Sequence, residues 1–499
     1  MILSMFQVIY IMILLYNGYP TASRNTTAVD EFIDYLRLSF ENKFHQHCDK
    51  YKFVKKFFDR LEYTDDRYLT YVYQEPTLKN GGLGDRLGGL VSAVAMSLRF
   101  NRTLLIRSYN SLHELFRPFH PTDIHSAAPK YMWTHYSSWT KFNSKYANHD
   151  ETEYDLYDCI DTTGLKNEHC SMDGSDATTP LILYRSNRAY LCYYDQNKKC
   201  KAYYQMKKDL GVHPQDSNLY EVGGCMLRLA LWPTDLLWTE IRKFYQSFFD
   251  QLPLLQVSAF MERIRRHSAL SIDATNISSV ADFFQVGLHF RCGDLSYILN
   301  GRNKDMCVFD PSTPHDADFM KTGNPHGIAM CARKVVSQLY VNEESKVIDA
   351  LNDSIPRLNV TGASRRAFNE NTTPKLSDDT VTVAFITSDN PHSAAQMQSL
   401  MGSDSPSLNI RTVVAPSGCH MEFDHSKECH FFTVTQWFLL SLSNVLVTQT
   451  LPNSAATSSF SRYAGIYSLN PDVFRNGRDC DNVPEDVPMS RQPQSNWFC

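Results

Sequence analysis

The sequence predicts an α/β protein made of two doubly wound domains, each built on a parallel sheet. Three observations carry that expectation. From Tyr68 to Ile106 the chain reads strand, glycine-rich turn, helix, strand, the start of an α/β layer. From Phe284 to Ile466 short apolar strands again alternate with helical segments. The chain has 499 residues, 43% hydrophobic and 21% charged, which is globular composition and more than one ordinary core holds.

The elements follow in order. Ile2 to Tyr16 is an apolar run broken by Ser4 and Gln7, with no charge before Arg24. It is shorter than the roughly 20 residues of a membrane span. It reads as a signal-peptide core over residues 1–23, with a single-pass, type II membrane anchor as the alternative. Thr26 to Tyr63 reads as a stem or leading helix. Tyr68 to Gln74 is a strand. Lys79 to Leu87 is the glycine-rich turn, Leu87 to Phe100 a helix and Thr103 to Ile106 a strand. Residues 107–225, rich in Tyr, His, Asp and Ser, read as a loop-rich insertion in a first domain of residues 24–270.

Asp235 to Arg266 is helical and Ser268 to Ser279 a linker to a second domain of residues 271–470. There, Phe284–Phe290, Thr380–Ile386, Asn409–Val414 and Asn444–Thr448 are strands. Helices are expected within Cys331–Leu351, Ser393–Met401, Thr433–Ser441 and from Thr457 to Ile466. Residues 471–499 read as an extended tail.

A net charge of −5 without a basic block excludes nucleic acid as the expected partner. No repeat of about 20 to 50 residues marks a solenoid. Thirteen cysteines and Asn-x-Ser/Thr sequons at Asn25, Asn101, Asn276, Asn352, Asn359 and Asn371 point to the secretory pathway, in the Golgi or the endoplasmic reticulum lumen. Asn352, Asn359 and Asn371 share one polar stretch and are the expected acceptors. Cys419-His420 and Cys429-His430 match no common zinc module, so a local disulfide closing that loop is expected. The odd count leaves a thiol over, expected at Cys292.

Three segments carry chemistry at the carboxyl edge of the second sheet, where α/β proteins bind ligands. His289-x-Arg291-x-x-Asp294 sets a guanidinium past a strand end, a geometry suited to a diphosphate. Asp389 follows a strand and can accept from a base or ribose. Thr457 to Ser461 offers hydroxyls and a helix start to phosphate oxygens. Taken singly, these read as a salt bridge, a turn and an N-cap; together they read as a site. Gly81-Gly82-Leu83-Gly84-Asp85 lacks dinucleotide and P-loop spacing, yet its glycines imply close backbone approach.

Gly81-Gly82-Leu83-Gly84-Asp85-Arg86-Leu87, continuing to Asn101-Arg102-Thr103-Leu104-Leu105, resembles the opening motif of GT-B-fold fucosyltransferases. That superfamily includes protein O-fucosyltransferases, α1,6-fucosyltransferases and plant xyloglucan fucosyltransferases. His289-Phe290-Arg291-Cys292-Gly293-Asp294 is similar to its His-x-Arg-x-x-Asp motif, and Ser458-Ser459-Phe460-Ser461 resembles a segment of the protein O-fucosyltransferases. The resemblance covers short motifs in the correct order. It implies two facing Rossmann-like domains, GDP-fucose as donor substrate, an acceptor hydroxyl on a glycan or glycoprotein, and inversion at the anomeric carbon.

It also implies Gly82, Gly84, His289, Arg291, Ser458, Ser459 and Phe460 at the donor, with Asp389 near the nucleoside. Arg291 would stabilise the leaving diphosphate, with Asp85 or Asp294 as base. Asp85 stands where many members carry Asn, which weakens a donor contact there and favours a base. Asp316-Ala317-Asp318 and Asp479-Cys480-Asp481 follow no apolar strand, so neither metal nor cofactor is expected. Alternative readings keep the fold with GDP-mannose or a UDP-sugar as donor, or make the chain an inactive secreted glycan-binding or scaffold protein.

Overall fold

The computed structural model describes residues 20–62, 67–74, 82–108, 112–119, 133–135, 152–155, 181–185, 210–211, 219–250, 252, 254–270, 283–291, 325–339, 381–388, 391–402, 410–415, 426–449, 458–469 and 473–475. The apolar run 2–16, the sequons at Asn276, Asn352, Asn359 and Asn371, and Cys292, Cys419, Asp294, Asp389 and both Asp-x-Asp sequences lie outside them. No described helix is long and apolar enough to cross a membrane.

The elements are α1 (Pro20–Cys48), α2 (Lys52–Glu62), β1 (Tyr68–Gln74), α3 (Leu83–Arg99), β2 (Thr103–Ser108), α4 (Leu112–Leu115), β3 (Phe116–Arg117), β4 (Trp133–His135), β5 (Thr152–Asp155), β6 (Leu181–Arg185), α5 (Leu219–Ala230), β7 (Trp232–Pro233), α6 (Asp235–Phe249) and α7 (Leu254–Leu270). They continue with β8 (Phe283–Phe290), α8 (Pro325–Leu339), β9 (Val381–Ser388), α9 (Pro391–Gly402), β10 (Ile410–Val414), α10 (Lys427–Ser441), β11 (Val445–Thr448), α11 (Ser459–Ser468) and β12 (Val473–Arg475).

Two five-stranded sheets form, β4-β2-β1-β6-β5 and β10-β9-β8-β11-β12, and every pairing within them is parallel. This is the expected α/β, GT-B-like arrangement of two doubly wound sheets. Counted along the chain, the second sheet has the order 3-2-1-4-5 and the first 3-2-1-5-4. Each order reverses beside its first strand, between β1 and β6 and between β8 and β11. Such switch points open crevices beyond the carboxyl ends of the strands.

Strand β8 shows how sequence parity builds the second core. All eight of its residues are buried, as in a parallel strand covered on both faces. Phe284, Val286, Leu288 and Phe290 join one cluster with α8 and α9. The intervening residues face the other way: the Gln285 amide donates to the Leu439 carbonyl at 2.9 Å and contacts Ser443 at 3.1 Å, and Phe283 packs on α1. The same parity turns His289 inward at the strand's end.

Of the two readings of the leading segment, stem or leading helix, the helix holds, and it is packed into the core. Val29, Phe32, Ile33, Leu36, Phe40 and Phe44 recur at helical spacing and are buried. Phe32 meets Tyr245, Phe249, Phe260 and Phe283 at ring distances of 4.8–5.7 Å. Its polar side pairs Asp30 with Arg242, Glu31 with Arg265 and Arg37 with Asp235; exposed pairs of this kind add little. A Cys48–Cys225 disulfide ties α1 to α5 across 177 residues. Cys331 and Cys429 are disulfide-bonded too.

Four readings change. Residues 107–225 are not an insertion of loops alone: β4, β5 and β6 supply three of the five strands of the first sheet. Their brevity, three to five residues each, is why no periodicity marked them. The Asp235–Arg266 helix is two helices, the first ending at Phe249 and the second starting at Leu254. The start of the tail is β12, an edge strand paired to β11. The glycine-rich turn is largely the first turn of α3, for a reason that lies in its neighbour α11.

Helix α11 is held at its far end by a buried cation. The Arg228 guanidinium, on α5, donates to the carbonyls of Tyr467 (2.7 Å), Ser468 (3.2 Å) and Phe40 (2.7 Å) and sits 3.8 Å from the Phe40 ring centroid. Burial lowers its pKa to about 9, so it stays charged at neutral pH. A cation at a helix carboxyl terminus is favourably placed.

Glu221 on α5 gathers His47, Lys50 and Tyr51 from the α1 end at 2.5–3.0 Å. Burial alone would raise its pKa, but these hydrogen bonds override burial and lower it from 4.5 to about 2. A depressed carboxylate contributes fully above its unfolded value and is lost as pH falls through the folded one. Glu221→Gln should therefore remove on the order of 2 kcal/mol at pH 7. The difference from wild type should shrink between pH 4.5 and 2, measured by denaturant titration at each pH. An unchanged difference across that window would contradict the assignment.

Candidate active site

At the carboxyl end of β8 the chain reads His289, Phe290, Arg291. His289 stands opposite Thr448, the last residue of β11. The Arg291 main-chain N–H donates to Gln449 Oε1 at 3.0 Å. The ends of β8 and β11 are therefore joined at the switch point itself. His289 is buried and its ring lies 5.0 Å from the Phe460 ring. Burial, and then the Arg291 charge, push its pKa down to about 3. It is a neutral hydrogen-bonding group at physiological pH and adds no charge beside Arg291.

Helix α11 presents its start to the same place. Ser458 holds the N-cap position, yet its side chain makes no capping hydrogen bond. An N-cap serine ordinarily accepts from the first turn; this hydroxyl is buried and makes no hydrogen bond among the described residues. The helix begins instead with Arg462 N–H donating to the Ser458 carbonyl at 3.0 Å.

The first half of the chain reaches this site through two glycines. A Cβ on Gly84 would fall 2.2 Å from the Ser459 carbonyl carbon and 2.5 Å from the Phe460 nitrogen. Only a hydrogen side chain lets α3 lie on α11 there. A Cβ on Gly82 would stand 3.6 Å from Arg291 Nη1 and 3.9 Å from Nη2. Gly82 is the N-cap of α3, and it too lacks a side-chain cap. The starts of two helices and a guanidinium thus meet between the sheets. Each is a positive end, and their common complement is an anion.

Of the expected site residues, Gly82, Gly84, His289, Arg291, Ser458, Ser459 and Phe460 come together. Asp85 follows Gly84 in the first turn of α3 and is half-buried. That position suits a reacting carboxylate and equally a carboxylate stabilised by the helix dipole. Asp294 and Asp389 lie outside the described residues. Among the described residues no cluster of His, Cys, Asp and Glu has the makings of a metal centre.

Sequence reasoning missed Thr448 and Gln449. Their signal was the one used for Arg291 and Asp389, polar residues directly after an apolar strand. Thr448 Oγ1, Gln449 Nε2, His289 Nδ1 and Ser458 Oγ are buried and without a protein partner among the described residues. Native structures leave few buried polar atoms unpaired, and these four belong to the adjoining ends of β8 and β11 and to the N-cap of α11.

No protein-family profile matches the chain, and no curated protein matches it. Among solved structures it is similar to Arabidopsis thaliana FUT1, an arginine-to-lysine mutant in complex with GDP. That alignment has 14% identity over 89% of this chain and 78% of that one, with a TM-score of 0.40. It is similar also to NodZ α-1,6-fucosyltransferase co-crystallised with GDP, at 13% identity over 82% and 94% of the two chains and a TM-score of 0.34. For fucosyltransferase NodZ from Bradyrhizobium the values are 14%, 82%, 96% and 0.33. At these values the fold assignment rests on this chain's own strand order.

The two glycines should respond differently to alanine. Gly84→Ala forces α3 and α11 apart and should cost about 3 kcal/mol or more. Gly82→Ala meets only ordinary contact distances and should stay within about 0.5 kcal/mol of wild type. Chemical denaturation of both variants checks this. Equal stability of the two would refute the close approach at Ser459.

Proposed function

We propose that this chain is an inverting, metal-independent glycosyltransferase of the secretory pathway, moving fucose from GDP-fucose to a hydroxyl of a glycan or glycoprotein. The observation that carries the reading is the Arg291 guanidinium set against the Gly82 helix start at the paired switch points. The order of the three motifs supports the choice of GDP-fucose. The disulfide-bonded cysteines support an oxidising compartment.

In this reading the diphosphate lies along Arg291 and the start of α11. The acceptor oxygen attacks the anomeric carbon from the opposite side. The bond to the diphosphate oxygen breaks and its electron pair stays on the diphosphate. Negative charge grows where Arg291 and the helix starts are already fixed, so the transition state gains more than the ground state. Asp85 or Asp294 takes the hydroxyl proton. Neutral His289 packs against Phe460.

The test uses wild type, Arg291→Lys and Arg291→Ala, assayed with EDTA against GDP-fucose, GDP-mannose and UDP-sugars. Transfer from GDP-fucose should persist in wild type. It should fall on the order of 10² to 10³ in Arg291→Lys, whose ammonium cannot span two phosphate oxygens, and vanish in Arg291→Ala. Melting temperatures should stay near wild type. A folded, fully active Arg291→Ala would remove the support for this reading, and preference for another nucleotide sugar would replace GDP-fucose.

A further inference from the structure

We propose that Gln449 is a direct contact of the donor's diphosphate as well as the brace of Arg291; the inference rests on the nucleotide-sugar reading of this crevice. The geometry fixes which way the amide lies. The Arg291 N–H is a donor, so the atom facing it at 3.0 Å must be the oxygen. The Nε2 amino group is therefore left for another partner. Gln449 is only 2% exposed, and Nε2 makes no hydrogen bond among the described residues. An amide NH₂ can only donate, so the missing partner is an acceptor.

The neighbours name its class. Thr448 Oγ1, fully buried, and Ser458 Oγ are also unpaired, and both can donate. Thr448, Gln449 and Ser458, like Arg291 and the uncapped start of α11, are all donors gathered at the adjoining ends of β8 and β11 and the start of α11. Phosphate oxygens, which only accept, are the complement of such a set of donors. Gln449 is thus an uncharged second donor that acts beside the guanidinium, held by the same contact that fixes Arg291.

A double-mutant cycle separates contact from bracing. GDP binding is measured by calorimetry for wild type, Gln449→Met, Arg291→Ala and the double variant, with melting temperature as the folding control. If Nε2 touches the diphosphate, Gln449→Met should weaken GDP about 10- to 100-fold. It should also weaken GDP by a similar factor when Arg291 is already alanine. If Gln449 only braces Arg291, the second loss disappears, and that result overturns the inference while leaving the nucleotide reading standing. Should Gln449→Met fail to fold, the uncharged Gln449→Leu takes its place in the cycle. A folded wild type that binds no GDP would overturn the proposed function and this inference together.

Discussion

Helix α11 lies with its backbone directly against two helices of the other half of the chain, and the rest of the site depends on that contact. At its start Gly84 of α3 admits the Ser459 carbonyl. At its end Gly224 of α5 does the same, since a Cβ there would stand 2.3 Å from the Ile466 oxygen. Side chains normally separate helix axes by 8–10 Å, and glycine is what permits closer approach. Arg228 then ties the last carbonyls of α11 to α1 and α5. Leu469 ends the helix in a left-handed turn, φ 56°, with its side chain over Gly224. The helix that carries Ser458 and Phe460 therefore belongs to the second sheet by connectivity and to the first half by packing.

That sharing explains why the crevice has a defined width. Were the halves joined only by a linker, Arg291 would have no fixed relation to the start of α3. With α11 clamped, Gly82 meets Arg291, Gly84 meets Ser459 and His289 meets Phe460. Positive ends that repel one another are held together by packing elsewhere, an arrangement whose electrostatics improve when an anion enters. Preorganisation of this kind spares the reaction the reorientation of dipoles that water would need.

The two-sheet plan was legible because β8, β9 and β11 are short apolar runs ending in polar residues. The site was legible in the same places: Arg291 past β8 and the Ser/Thr run before α11. Three things were not. The strands between residues 133 and 185 are too short to show alternation. The role of Gly84 depends on a backbone roughly 375 positions away along the chain, a distance that no local pattern encodes. Gln449 follows the last strand residue Thr448 with no motif around it, and only its bond to Arg291 reveals it. For α1 the leading-helix alternative held over the stem, although its partners on α6 and α7 lie some 200 residues later.

Hydrogen exchange with and without GDP tests the central claim most directly, that one anion site is assembled from both halves at the switch points. The account predicts protection at the first turn of α3, around Gly84 to Leu87, and at the first turn of α11, around Ser459 to Phe460, appearing together at the same GDP concentration. Protection at only one of these helix starts, or at neither while GDP binds, would contradict it.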